Sequence, residues 1–153
     1  MNKKQDICPV SVILPCYKAA DTIAMALKSA AFQTRPPAEI IIMDDGSPDN
    51  SRAVIENTIK EIDNQTPSKI IFLPFEKNRG VYPVRNDGLR EASQPYLAFL
   101  DADDYWHPQK LEIQYLFFER DPDLALSCHG VKYRDGGPET LDAFADDHEH
   151  STK

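Results

Sequence analysis

The run Glu39-Ile40-Ile41-Ile42-Met43 constrains this chain most, because it is continuously apolar from its second residue and too short for a helix of useful length. A segment of that kind is stable as a strand inside a parallel sheet, where helices cover both faces. Similar short runs flank it. Val10-Ser11-Val12-Ile13-Leu14 reads as a strand ended by Pro15, Lys69-Ile70-Ile71-Phe72-Leu73 as another, and Tyr96-Leu97-Ala98-Phe99-Leu100 as a buried, aromatic-rich fourth. Helical patterns separate them. Ile23, Leu27 and Ala30 share one face of a helix expected from Thr22 to Gln33, with Asp21 placed to cap it. Ile55, Ile59 and Ile62 share the buried face of a second, a short helix falls between Gly80 and Ala92, and Pro108 opens a helix carrying Leu111, Tyr115 and Phe118 on one side. Leu124-Ala125-Leu126-Ser127-Cys128 begins a further strand expected to extend to Tyr133. Strands alternating with helices predict an α/β protein built on a mainly parallel, right-handed sheet.

The 153 residues are expected to form one domain over residues 7–133, with 41% hydrophobic and 27% charged residues as in ordinary globular proteins. Past Arg134 a breaker cluster, Asp135-Gly136-Gly137-Pro138, leads into residues 134–153, which read as an acidic, flexible tail. Asp146-Asp147-His148-Glu149-His150 has metal-ligand residue types, but a solvated acidic terminus accounts for it better. The formal net charge of -8 and the lack of a basic stripe argue against nucleic acid as a partner. Cys8, Cys16 and Cys128 match no zinc spacing and suit reduced thiols. The first residues carry no signal-peptide pattern and no run approaches a membrane span, so a cytoplasmic location is expected, with peripheral attachment at the inner face of a membrane compatible with it.

In an open α/β sheet, ligands bind beyond the carboxyl ends of the strands. Three polar clusters fall there: Pro15-Cys16-Tyr17, Asp44-Asp45-Gly46-Ser47 and Asp101-Ala102-Asp103-Asp104. Singly each has a plain explanation, as an exposed aromatic, a turn or a helix cap. Together they suit a nucleotide. A tyrosine stacks on a base and a nearby carboxylate accepts base N–H bonds. Three carboxylates within four residues repel one another until an oxygen-preferring divalent cation, Mn²⁺ or Mg²⁺, relieves them and meets a diphosphate. Uracil and thymine offer an N3–H, guanine an N1–H and an amino group, and cytosine no ring N–H for Asp45. That ranks uridine first, thymidine and guanosine behind, and cytidine last.

The ordered set of Val10 to Tyr17, Gln33-Thr34, Ile41 to Ser47, Asn78-Arg79-Gly80, Arg85 to Leu89, Ala98 to Asp104, Pro108 and Leu111 resembles the amino-terminal, nucleotide-binding half of a family 2 glycosyltransferase with the GT-A fold. The resemblance covers about Pro9 to Tyr133. It implies a Rossmann-like nucleotide-diphospho-sugar transferase fold whose carboxy-terminal acceptor half is truncated here. It also implies donor binding by Pro15, Tyr17, Asp45, Arg85 and Asp103. Tyr17 and Asp45 would meet the base, Asp103 the ribose or metal, and Asp101, Asp103 and Asp104 would supply the metal site, without settling which ligates directly. Arg85 stands where the family places a basic residue near the donor, although a surface arginine on a short helix reads equally well. Cys16 departs from the commoner threonine or serine, and no redox role follows.

The implied reaction is inverting transfer of a sugar from a nucleotide-diphosphate sugar, UDP-linked by the ranking above, to a hydroxyl of a saccharide or lipid-linked acceptor in cell-surface or exopolysaccharide assembly. The family's acceptor base lies beyond the acidic motif, past residue 153 by this reading. A non-catalytic nucleotide-sugar-binding module is the alternative. A metal-dependent nucleotidyltransferase shares the α/β plan, but Pro15-Cys16-Tyr17-Lys18-Ala19-Ala20 lacks that class's glycine-rich basic loop. A shortened core would also leave apolar sheet surface uncovered, predicting self-association.

Overall fold

The structure, a computed structural model, describes residues 6–128. Four strands, β1 (Cys8–Cys16), β2 (Pro37–Asp44), β3 (Lys69–Pro74) and β4 (Tyr96–Phe99), alternate with four helices, α1 (Ile23–Ala31), α2 (Ser51–Ile62), α3 (Val81–Glu91) and α4 (Lys110–Arg120). The strands form one parallel sheet in the order β3-β2-β1-β4. The apolar runs become interior strands because both faces of β1 and β2 are covered. Val12, Leu14, Ile40 and Ile42 pack with residues of α1, α2 and α4, whereas Ile13, Ile41 and Met43 pack with Val84 of α3. All of these side chains are buried.

That division of faces positions the site. The chain steps from β1 through β2 to β3 with α1 and α2 on one face. It then returns past both strands, with α3 on the opposite face, to place β4 beside β1. The strand order reverses at β1, with β2 on one side and β4, reached through α3, on the other, so the carboxyl ends of β1 and β4 mark the point of reversal where a crevice opens.

Several elements differ from the sequence expectation. β1 continues through Pro15 instead of ending there. Leu100 N–H bonds the Ile13 carbonyl, so the backbone of residue 15, two positions on, faces the side where β4 has already ended. The missing proline N–H costs no ladder bond at that point. Asp21 does not cap α1. Thr22 precedes the helix without a side-chain cap, and the N–H groups of Thr22 and Ile23 are taken by the Ala19 carbonyl. Gln33 lies outside α1, buried, where its carboxamide donates to the Ser29 and His107 carbonyls and accepts from Leu111 N–H, tying the end of α1 to the start of α4.

β4 is half-buried rather than buried. Tyr96 and Ala98 pack inward, but Leu97 and Phe99, on the α3 face at the open edge of the sheet, are 46% and 49% exposed. Leu124–Cys128 is no strand. A strand exists through its pairing, and this segment is instead held by the Gln114 carboxamide on the Ser127 carbonyl and hydroxyl, with Leu126 exposed. The remainder of that expected strand and the expected tail lie outside the described residues. Among the described residues no helix is long and apolar enough to cross a membrane.

At the amino end of the sheet, Glu39 is buried yet charged. Burial raises its pKa, but the Ser11 hydroxyl (2.6 Å), the Ser93 N–H (2.6 Å) and the Ser93 hydroxyl (2.8 Å) outweigh it, so the carboxyl titrates below the usual glutamate range. This network joins β1, β2 and the turn into β4. A lowered folded-state pKa adds stability above the unfolded value and loses it as pH falls through the folded one. Glu39→Gln is expected to lower unfolding free energy by about 1.5–3 kcal/mol at pH 7. In urea titrations the gap from wild type should shrink at acid pH, and a constant gap would refute the charged network.

Candidate active site

The loop after β1 is tied to the segment leading into α2 by three consecutive backbone donors. Lys18 N–H bonds the Ser47 hydroxyl (3.1 Å), Ala19 N–H the Ser51 hydroxyl (2.9 Å) and Ala20 N–H a carboxylate oxygen of Asp49 (3.3 Å). Ser47 is thus an acceptor for the neighbouring loop rather than a helix cap.

The two aspartates at the end of β2 do different work. Asp44 is fully buried, accepts from Ser47 N–H (3.2 Å) and pairs with Arg52 Nε (3.2 Å), whose terminal nitrogen donates to the Phe75 carbonyl (2.6 Å). Asp45, 3% exposed, accepts Arg79 N–H on both oxygens (2.9 and 3.1 Å) and Gly80 N–H on one (2.8 Å). The carboxylate placed for base contact by the sequence is therefore first an anchor for the loop after β3. An ionised carboxylate accepts about four hydrogen bonds, so capacity remains on the oxygen that takes only one. Gly46 makes the anchor possible. Its φ is +64°, and a Cβ there would come within 2.7–2.9 Å of backbone atoms of Lys77 and Asn78.

At the end of β4, Asp101 is engaged by a salt bridge from Arg85 of α3. Asp104 is left with uncompensated charge, and burial, then the charges of Asp103 and Asp101, push its carboxyl above the usual range. The ionised form thus costs the native state stability above that range, the opposite of Glu39. Cys16 is a thiol pushed up to about 12 by burial and the charge of Asp44.

These loops enclose a cleft of about 630 Å³ at the crevice between β1 and β4. Pro15, Tyr17, Asp45, Asp101 and Asp103 line it together, as expected, while Arg85 and Asp104 stand outside its lining. Arg85 meets Asp101 rather than the cleft, which explains its basic identity by pairing. The expected metal set of Asp101, Asp103 and Asp104 is not assembled as a cage. Among the described residues no three His, Cys, Asp or Glu side chains converge to hold an ion. What fits is a cation held by one or two carboxylates, with phosphate and water oxygens completing its shell. Lys18, Asn78 and Gly80 also line the cleft. Asn78 and Gly80 belong to a motif that carries the family resemblance, but the site expected from sequence includes none of the three.

The chain matches the model of glycosyl transferase family 2 over residues 11–147, and it belongs to that family. It is 38% identical over 133 residues to an uncharacterised glycosyltransferase of Nostoc sp., covering 87% of this chain and 39% of that protein. It is 40% identical over 110 residues to the Escherichia coli UDP-Glc:alpha-D-GlcNAc-diphosphoundecaprenol beta-1,3-glucosyltransferase WfaP, covering 72% of this chain and 41% of the relative. Among solved structures, S. aureus TarS 1-349 in complex with UDP superposes with a TM-score of 0.68 at 28% identity over 85% of this chain and 38% of TarS. The fold is therefore that of GT-A glycosyltransferases, and the chain spans about two fifths of the length of these relatives.

Asp45→Ala would strip acceptors from two loop donors, an expected cost of about 1–3 kcal/mol. Amide exchange at Arg79 and Gly80 should accelerate at least about tenfold more than exchange in β1 and β2. Uniform acceleration across the sheet would instead make Asp45 a global stability element.

Proposed function

We propose that this chain holds the nucleotide-sugar donor of an inverting, divalent-metal-dependent glycosyl transfer, with a UDP-sugar as donor and a hydroxyl of a saccharide or lipid-linked saccharide as acceptor. The observation that carries the proposal is the composition of one cleft: an exposed tyrosine, an anchored carboxylate and an undercompensated acidic turn at the switch between β1 and β4. Tyr17 stacks on the base, and the free capacity of Asp45 accepts its N3–H. Asp103 contacts the ribose or the ion, and Asp104 gains an ion's charge in exchange for its neighbours' repulsion. When bound, Mn²⁺ or Mg²⁺ supplies positive charge to the departing diphosphate. Arg85 occupies Asp101, so the ion is assigned to Asp103 at the cleft wall together with Asp104 of the same turn.

The UDP of the TarS complex and the UDP-Glc and diphosphoundecaprenol in the name of WfaP support this donor class and a lipid-linked acceptor. Such acceptors belong to cell-surface or exopolysaccharide assembly at the inner face of a membrane. The base that takes the acceptor proton is assigned to sequence of the kind that the longer relatives carry beyond the matched region. A non-catalytic donor-binding module is favoured instead if this portion works alone, since it spans only about two fifths of those relatives.

Calorimetry with UDP, GDP and CDP, with and without Mn²⁺, tests the reading. UDP should bind tightest, and Mn²⁺ should strengthen it at least about tenfold, an effect lost in Asp103→Asn and Asp104→Asn. Asp104→Asn should leave the metal-free protein as stable as wild type, or more stable by under about 1 kcal/mol. Metal-independent UDP binding would remove the carboxylate assignment, and absence of nucleotide binding would remove the whole reading. Robust UDP release by residues 1–153 across an acceptor panel would place the missing base inside this chain.

A further inference from the structure

We infer that Lys18 reads the donor's base, pairing with Asp45 to select the imide edge of uracil; the inference rests on the donor-site reading above. Lys18 has a φ of 53°, the one positive value at a non-glycine position among the described residues. Its conformation is imposed from outside: the N–H groups of residues 18, 19 and 20 are held in turn by Ser47, Ser51 and Asp49. That latch explains the backbone, but it does not explain the side chain. Glycine or asparagine would occupy the left-handed region with less strain than lysine does. A lysine in this conformation therefore points to a role for its ammonium.

The surroundings of that ammonium say what the role is. Among the described residues, Lys18 is the only cationic side chain lining the cleft, which is also lined by Asp21, Asp45, Asp49, Asp101 and Asp103. With five carboxylates around the cleft, Nζ nevertheless rests 5.3 Å from the centroid of the Tyr17 ring. It thus stands at the aromatic end, where a base would stack. An ammonium offers three donors and no acceptor, so on a base it selects carbonyl oxygens. Asp45 offers only acceptors. Both residues line the same cleft, and a donor with an acceptor matches the C4=O and N3–H of uracil. Cytosine presents an amino group and a bare ring nitrogen at those positions, reversing both requirements.

The test is calorimetry of UDP and CDP on wild type, Lys18→Asn, Lys18→Gly and Lys18→Arg, alongside thermal melts. The Asn and Gly variants keep the left-handed backbone, so their melting temperatures should hold or rise while UDP affinity falls about tenfold. CDP affinity should change little, narrowing the UDP preference, and Lys18→Arg should restore part of it. Undiminished UDP binding in both variants, with wild type binding UDP, overturns the inference alone. Equal losses for UDP and CDP also overturn it, by assigning the ammonium to the diphosphate. Failure of wild type to bind any nucleotide removes the donor-site reading and this inference together.

Discussion

The cleft depends on how backbone donors are satisfied where β2 ends. Asp44 is withdrawn into the protein, neutralised by Arg52, and through that arginine it fixes the Phe75 carbonyl. Asp45 takes the N–H groups of Arg79 and Gly80, and Gly46 lets the same loop lie against the turn without a Cβ between them. Just downstream, Ser47, Asp49 and Ser51 hold three donors of the loop after β1. One segment thus organises its neighbours on both sides. These bonds tie the loops after β1 and β3 to the end of β2 within the folded chain, so the walls of the cleft are set without a ligand.

The two ends of the sheet use carboxylates in opposite ways. At the amino end, Glu39 is supplied with more hydrogen bonds than its burial costs, and its charge stabilises the fold. At the carboxyl end, burial and the like charges of Asp103 and Asp101 act on Asp104, and its charge opposes the fold. Sites hold their groups in such poised states because a ligand can then be the missing partner. The contrast separates a carboxylate whose charge supports the fold from one whose charge opposes it, although both sit at strand ends and look alike in sequence.

Much of the architecture was legible because interior strands must be apolar on both faces, as Ile40 to Met43 are, and because amphipathic spacing such as Ile55 and Ile62 survives any particular packing. The clustering of Pro15, Tyr17, Asp45, Asp101 and Asp103 followed from the same topology. What sequence did not reveal depends on partners distant along the chain. Leu124 to Cys128 has strand composition but pairs with no strand among the described residues, whereas Pro15 stays inside β1 because its lost donor faces the side where β4 has ended. The engagement of Asp101 by Arg85, and of Asp45 by Arg79 and Gly80, joins residues 16 to 35 positions apart. Local pattern cannot place those contacts. The role of Lys18 hides for a related reason: its oddness lies in a dihedral angle that residue type does not announce.

β4 is both a wall of the cleft and the border of the sheet. Its turn carries Asp101 and Asp103, and among the described residues no strand pairs with its outer edge, where Leu97 and Phe99 are half-exposed. Any polypeptide that joins this edge is delivered, by the spacing of a sheet, beside the carboxylates. Whatever extends the sheet at β4 would build directly onto the wall of the cleft, while the walls set by the loops after β1, β2 and β3 stayed unchanged.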